Sequence, residues 1–365
     1  MSMLIYIIIG LACLIHLIVI YRIYRSIRYL HVPEIAESTD STPTVSVCIA
    51  VRDETMVMTQ CLERVLASDY PKLEVIVMDD GSRDNTGMLI KSFAHAGVRF
   101  IDGKELPSGW LGKNYAFSIL AKEAVGKYVF FMDVDTHIEV TTITRLMRYA
   151  EKTKSQMVSI VPIRTRTRQI SSIFATLRHF WILLRFSPKN PLSESSAWLI
   201  DRDYINDEFK NNPTIHDAML LESTVASKLR KNHTYRLVLS NPWLGVSYDK
   251  ARHSQLETSI RLLYPQSGAS YIGSIFDIAL MYITLAPLVL VPFSYYALVP
   301  VVLQMVSGYV YTRQTWPNKT MAVFGAVLMP VIVLQEILLY TTSIYRYARG
   351  TVTWKGRPIK TANIK

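Results

Sequence analysis

The 365-residue chain reads as an α/β domain with a mostly parallel sheet flanked by helices, joined to one N-terminal and several C-terminal apolar helices. Three observations carry that reading. Apolar strand patterns alternate with helical spacing from residue 45 to residue 161, as in a parallel sheet covered on both faces. Three of those strands run out into acidic residues, at 52–54, 79–80 and 133–135. Long apolar runs lie on either side of that region, and half of all residues are hydrophobic, too many for an ordinary soluble enzyme.

Taken in order, residues 1–24 are expected to form a transmembrane anchor, because 3–21 carry no formal charge and are long enough to span. No basic stretch precedes the run and no small-residue cleavage site follows it, which favours an uncleaved anchor over a signal peptide. Arg22, Arg25 and Arg28 come next, so the following domain is expected on the cytoplasmic face of the plasma membrane. Cys13, Cys48 and Cys61 lack metal-ligand spacing and read as packing residues of a reducing compartment. A polar linker, 34–43, leads into a globular domain over 44–265. Within it strands are expected at 45–51, 73–78, 98–101, 128–132 and 156–161, and helices at 56–67, 84–95 and 113–125. Residues 171–187, where aromatic residues interleave with Arg178 and Arg185, are expected either to lie along the membrane surface or to form an ordinary helix of the domain.

A C-terminal membrane region, 270–345, contains apolar runs at 272–292, 295–311 and 320–342, with Asp277 and Glu336 inside two of them. Three spans after a cytoplasmic domain would leave the basic tail, 346–365, outside, against its charge preference. One run is therefore expected to be re-entrant or interfacial. The net charge of +11 suits an anionic bilayer and phosphorylated ligands; no nucleic-acid-binding module accompanies it, and no nucleic-acid partner is expected.

The chemistry concentrates at the strand ends. Asp133-Val134-Asp135 follows an apolar strand, and alternate residues of an extended segment point the same way, so the two carboxylates can converge on Mg2+ or Mn2+. Such an ion would bridge a diphosphate. Asp79-Asp80-Gly81 supplies two acids and a turn, with Asp84 expected to cap the next helix. Arg52-Asp53-Glu54 ends the first strand. In type, order and spacing these motifs resemble the family 2 glycosyltransferases with a GT-A nucleotide-sugar domain, over residues 44 to about 240.

That resemblance implies roles. Arg52 and Glu54 would lie beside the nucleotide, with Asp53 standing where the family usually has Asn. Asp79 or Asp80 would accept the uracil imide hydrogen, and Asp133 and Asp135 would bind the ribose and the metal-bridged diphosphate. Gly109-Trp110-Leu111-Gly112-Lys113-Asn114 places Trp110 and Lys113 at a helix start between glycines that allow close backbone approach, suiting a diphosphate or sugar ring. The pattern resembles a lipid-directed subgroup that includes membrane-bound carotenoid-acid (4,4'-diaponeurosporenoate), hopanoid-associated and ceramide enzymes. Inverting transfer needs a general base. Aligning the family's helix ending with Val225-Ala226-Ser227-Lys228-Leu229-Arg230 gives that place to Glu222, with Asp217 in reserve beside His216. Trp354 and Arg357 fit an interfacial anchor and also resemble the subgroup's Trp-x-Gly-Arg element, which would bring them to the donor diphosphate. The Gln-x-x-Arg-Trp element of processive synthases is missing, which implies single-sugar transfer.

The expected function is thus transfer of one hexose from a UDP-sugar to a lipid of the bilayer, favouring a carotenoid acid or related terpenoid. Polyprenyl phosphate, diacylglycerol and ceramide-like lipids are the alternatives. A catalytically silent nucleotide-binding membrane scaffold is the rival from another class.

Overall fold

The computed structural model describes residues 2–36, 42–165, 174, 177–189, 192–316 and 319–359. Its centre is a seven-stranded sheet whose spatial order is β3 (Val98–Asp102), β2 (Leu73–Asp79), β1 (Val45–Val51), β4 (Tyr128–Met132), β8 (Ala197–Asp201), β6 (Met157–Val161), β9 (Tyr235–Leu239), while β5 (Thr136–Ile138), β10 (Val246–Tyr248) and β7 (Ile163–Arg164) form a small separate sheet. Strands β1 (Val45–Val51), β2 (Leu73–Asp79), β3 (Val98–Asp102) and β4 (Tyr128–Met132) run parallel, with Val51 opposite Asp79. That register brings the acidic ends of β1, β2 and β4 to one edge, where ligands of parallel α/β sheets bind. A strand absent from the sequence expectations, β8 (Ala197–Asp201), runs antiparallel between β4 and β6 (Met157–Val161), and β9 (Tyr235–Leu239) is parallel to β6. The Asp133 amide donates to the Ser196 carbonyl at 2.9 Å, so β8 fixes where β4 stops.

Period-two alternation sorts the strands' side chains into two cores. Cys48, Ile76, Phe131 and Trp198 meet the helix Gly112–Glu123 through Phe117 and Leu120. Val47, Val77, Phe130 and Leu199 meet Met58 and Leu62 of the helix Thr55–Leu66. Phe117, Phe131 and Trp198 form one aromatic stack, with centroids 4.4 and 4.6 Å apart in sequence. Burying each such side chain stabilises by about 1.5–3 kcal/mol. The helix expected over 84–95 is shorter, Thr86–Ser92, followed by a 3-10 turn. Asn85, not Asp84, precedes it; the Asp84 carboxylate accepts from the Thr86 amide at 3.0 Å.

The N-terminal helix runs from Ser2 to Leu30, beyond the expected boundary at 24. It continues past the arginines because Ile23 and Leu30 are buried in the domain's core. Among the described residues two helices, Met3–Leu30 and Tyr271–Leu290, are long and apolar enough to cross a membrane. The run 320–342 is broken into Lys319–Val327 and Met329–Ala348, bent by 67°, and makes a third span only if the pair counts as one. Residues 295–311 do not form a further apolar span. They form a 3-10 turn and the helix Leu298–Thr315, which buries the polar Gln304, Ser307, Thr312 and Thr315.

Of the two readings of 171–187, the described residues favour an ordinary helix of the domain. Its described part, Arg178–Arg185, buries His179, Phe180, Trp181, Ile182 and Leu183 under protein. Residues 166–173, 175 and 176 lie outside the described residues, as do 37–41 of the linker and the tail from 360. Asp277 and Glu336 are what bind this helix. Arg185 pairs with Asp277, which also accepts from the Tyr340 hydroxyl at 2.7 Å. Glu336 accepts from Trp181 Nε1 at 2.8 Å and from the Leu177 amide at 3.2 Å. Past the bundle the chain turns back as a two-stranded hairpin, β11 (Thr353–Trp354) and β12 (Arg357–Pro358).

Candidate active site

The strand-end acids divide their work. Asp79 Oδ1 accepts from both the amide (2.9 Å) and the hydroxyl (2.6 Å) of Ser82, holding the turn at Gly81. Asp80 Oδ2 instead accepts from Arg357 Nη1 at 2.7 Å, while Arg52 donates to the Asp80 carbonyl at 2.7 Å. Burial raises the Asp80 carboxyl above its ordinary value, with Arg357 and Arg52 pulling against it. Asp53 sits at φ +52°, the left-handed region that Asn and Asp tolerate best, so the change from Asn keeps the backbone conformation. Glu54 pairs with Lys355 at 2.7 Å. The hairpin therefore lies across the strand ends. A Cβ at Gly112 would stand 3.1 Å from Arg357 Nη1, 3.1 Å from Asp80 Oδ2 and 3.3 Å from the Trp354 ring, so the close approach anticipated for this glycine is made by the tail.

Asp133 and Asp135 open onto a cavity of about 430 Å³ with Arg52, Glu54, Lys113 and Lys250. Lys113 pairs with Asp133 at 2.7 Å and Lys250 with Asp135 at 2.9 Å. Burial would raise the Asp133 carboxyl, but the two lysines outweigh it and hold the group below its usual range. No three His, Cys, Asp or Glu side chains form a ready metal cluster among the described residues. Two carboxylates at a diphosphate-sized cavity still fit Mg2+ or Mn2+, which one or two carboxylates commonly hold together with substrate phosphates.

A second cavity, of about 80 Å³, contains Glu222 from the first turn of the helix Leu221–Lys231, with Trp110, Lys113, Arg261, Trp354 and Arg357. Glu222 is 4% exposed, and burial raises its carboxyl above the ordinary value, Lys113 lowering it and Asp133 raising it further. Trp110 stacks on His216 with centroids 3.6 Å apart and planes 13° from parallel. Asn114 Nδ2 donates to the Ile215 and Ala218 carbonyls, each at 2.9 Å, and ties the 215–218 loop to the glycine-flanked segment. Asp217 is half-buried in that loop and lines neither cavity. Lys113, Arg261 and Trp354 line both.

Residues 46–208 match the family model described as Glycosyl transferase family 2. Over that stretch the chain is similar to the family 2 glycosyltransferases. Among curated proteins it is 25% identical over 116 residues to glycosyltransferase GlyG of Streptococcus pneumoniae, covering 31% of this chain and 37% of that one. It is 28% identical over 137 residues to 4,4'-diaponeurosporenoate glycosyltransferase of Staphylococcus haemolyticus, covering 37% of this chain and 36% of that one. The matches thus span little more than a third of these relatives' lengths. The fold is shared with a solved structure titled mannosyltransferase PcManGT from Pyrobaculum calidifontis in complex with GDP-Man and Mn2+, at TM-score 0.59 and 17% identity over 97% of this chain and 100% of that chain.

The larger cavity is also lined by residues that the motifs do not include. His253, Glu257 and Arg261 stand on one face of the helix Arg252–Gln266 and line the larger cavity. Their i, i+4, i+8 spacing was a legible signal. Lys250 just precedes that helix. Beneath Asp133 and Asp135, Glu194 is fully buried with Arg178 and His179. Burial would raise its carboxyl, but Arg178, His179 and Ser196 bring it down to about 2.

Proposed function

We propose that the protein moves one hexose from a UDP-sugar to a lipid of the bilayer with inversion. The observation that carries the reading is the sharing of Lys113: one lysine lines the Asp133–Asp135 cavity and the Glu222 cavity. A donor diphosphate in the first and an acceptor oxygen in the second would meet beside it. Glu222 takes the acceptor's O–H proton, the acceptor oxygen bonds to the anomeric carbon, and the carbon–oxygen bond to the diphosphate breaks. Its raised carboxyl suits proton uptake near neutral pH better than an ordinary glutamate's would. Lys113, Lys250 and Arg261 offer positive charge to the departing diphosphate. Asp133 and Asp135 would hold a Mg2+ or Mn2+ ion, which supplies further neutralisation of that charge. Asp80 is the acceptor we assign to the uracil imide, because Asp79 is already spent on its turn.

The named activity of the staphylococcal relative supports a carotenoid acid or similar terpenoid as acceptor. The apolar helices beside the domain supply the setting for such a molecule, as they would for polyprenyl phosphate, diacylglycerol or a ceramide-like lipid. UDP release by the detergent-purified protein, with UDP-sugars and a panel of these acceptors, tests the reading. Acceptor-dependent release lost in both Asp135→Ala and Glu222→Gln is the expected result. Tight UDP binding with no release from any acceptor would overturn it in favour of a silent scaffold.

A further inference from the structure

The helical bundle lines a third cavity, of about 440 Å³, that none of the transfer chemistry uses. Its volume is that of a small-molecule site. Its walls are mainly aliphatic and aromatic, among them Val19, Phe180, Trp181 and Leu280. Among the polar side chains that interrupt them, Arg185 and Asp277 pair with each other, and Thr284 and Ser307 donate to carbonyls of their own helices, which leaves His16 and Gln304. His16 is 3% exposed and Gln304 1% exposed, and His16 Nε2, Gln304 Nε2 and Gln304 Oε1 all lack a hydrogen-bond partner. The His16 ring is bonded to the backbone at Thr284, so only its Nε2 faces an unmet requirement. Three unpaired polar atoms on one buried apolar cavity are unusual, because each carries a desolvation cost. Arg22 also lines the cavity, is exposed, and has no ion-pair partner among the described residues. It lies six residues after His16 on the same helix, an axial rise of about 9 Å.

We propose that this cavity binds a single-chain anionic amphiphile bearing a hydroxyl part-way along its chain. The anion meets Arg22 at the mouth, the chain fills the apolar walls, and the hydroxyl donates to and accepts from the His16–Gln304 pair. A hydroxyl is the group that serves both kinds of atom at once. The helix Arg178–Arg185 separates this cavity from the catalytic one: Arg178 adjoins the Asp133–Asp135 side and Arg185 lines the bundle cavity. The ligand is therefore distinct from the donor, and its binding can be read without any turnover.

The test uses full-length protein in detergent and follows quenching of Trp181 by dibrominated stearate. Saturable quenching that weakens in Arg22→Gln, an exposed change, and disappears in Trp181→Phe is expected. Unbrominated 10-hydroxystearate should displace the probe at about fivefold lower concentration than stearate, the worth of one net hydrogen bond. That advantage should vanish in the His16→Leu, Gln304→Leu double variant, and Ser307→Phe, which fills the cavity, should abolish binding of both. Equal quenching by dibrominated phosphatidylcholine, insensitive to Arg22→Gln and Ser307→Phe, would identify ordinary surrounding lipid and overturn the proposal. Arg22-dependent quenching by brominated phosphatidylglycerol but not stearate would overturn the single-chain ligand.

Discussion

Glu222 and Asp217 are five residues apart, and their environments separate them. Glu222 is buried in a cavity with Lys113, whereas Asp217 lies in a loop outside both cavities. Glu222→Gln is expected to lower kcat by about 10²–10⁴ while UDP affinity is kept, the usual worth of a general base; Asp217→Asn should leave kcat within about threefold. The reverse pattern in steady-state rates would move the base to Asp217. The pH profile follows from the sign of the shift. A base must be deprotonated, and burial raises Glu222, so kcat/KM should fall on the acid side at a pH above that of an ordinary glutamate. Lys113 lowers that value, so Lys113→Met should move the acid limb further up. A second residue-scale prediction concerns Glu194. Its carboxyl is depressed to about 2, so the stability it contributes is complete above the unfolded carboxylate value and is lost as pH falls towards 2. Arg178→Met would leave that buried charge with only His179 and the Ser196 amide against it, with an expected loss of about 3–5 kcal/mol in denaturant unfolding at pH 7. The sequence put Glu222 first and Asp217 in reserve on the match of a helix ending, but the burial that separates them is set by the loop's packing and was not legible there. It likewise could not separate Asp79 from Asp80, since adjacent residues share a spacing and only the Ser82 contacts tell them apart.

At the scale of elements, β1 to β4, β6 and the helices between the first four strands were legible because each writes its periodicity locally, whereas β9, parallel to β6, was not among the expected strands. β8 was missed: Ala197–Asp201 is apolar like its neighbours, but its antiparallel direction depends on pairing with β4 and β6, which are distant in sequence. The Arg178–Arg185 helix stayed open between the membrane surface and the domain for a related reason. An amphipathic pattern reports an apolar face, and the partner that covers it, here other helices of the same chain, is not encoded in the spacing. The hairpin 353–358 is the element with most functional weight. Two strands alone are marginally stable, so its place depends on Lys355–Glu54, Arg357–Asp80 and the Trp354 ring against Gly112. Arg357→Ala is expected to raise the donor KM about tenfold, roughly 1.4 kcal/mol, and to speed amide exchange over 353–358. Gly112→Ala should act in the same direction by pushing Arg357 and Trp354 away. Faster exchange with an unchanged KM would show that the hairpin only packs against the domain.

For the whole molecule, the docked hairpin constrains the topology that charge and hydropathy left open. The helix Arg252–Gln266 and the hairpin 353–358 both line the catalytic cavity, so both lie on the domain's side of any membrane. The chain between 266 and 353 must therefore cross an even number of times. Tyr271–Leu290 is long and apolar enough for one crossing. The return falls to the pair bent by 67°, which makes a third span if it counts as one, while Leu298–Thr315, with its buried polar Gln304, Ser307, Thr312 and Thr315, does not cross. The sharp break at Leu328 leaves the first of the pair's segments, Lys319–Val327, only 9 residues long, so the longer Met329–Ala348 carries most of that crossing. The short connection at 291–297 should then be exposed on the side opposite the domain. A cysteine placed at Ser294, in a background with Cys13, Cys48 and Cys61 replaced, should react with an impermeant maleimide added to intact cells. Cysteines placed at Glu34 and at Lys355 should react only after permeabilisation. Labelling at Lys355 from outside would require an odd count, and with it a hairpin that cannot reach Asp80 and Glu54 in the membrane-bound protein. The same three positions thus test the span count and the closure of the active site together, since the tail's basic charge and its contacts at the strand ends demand the same side.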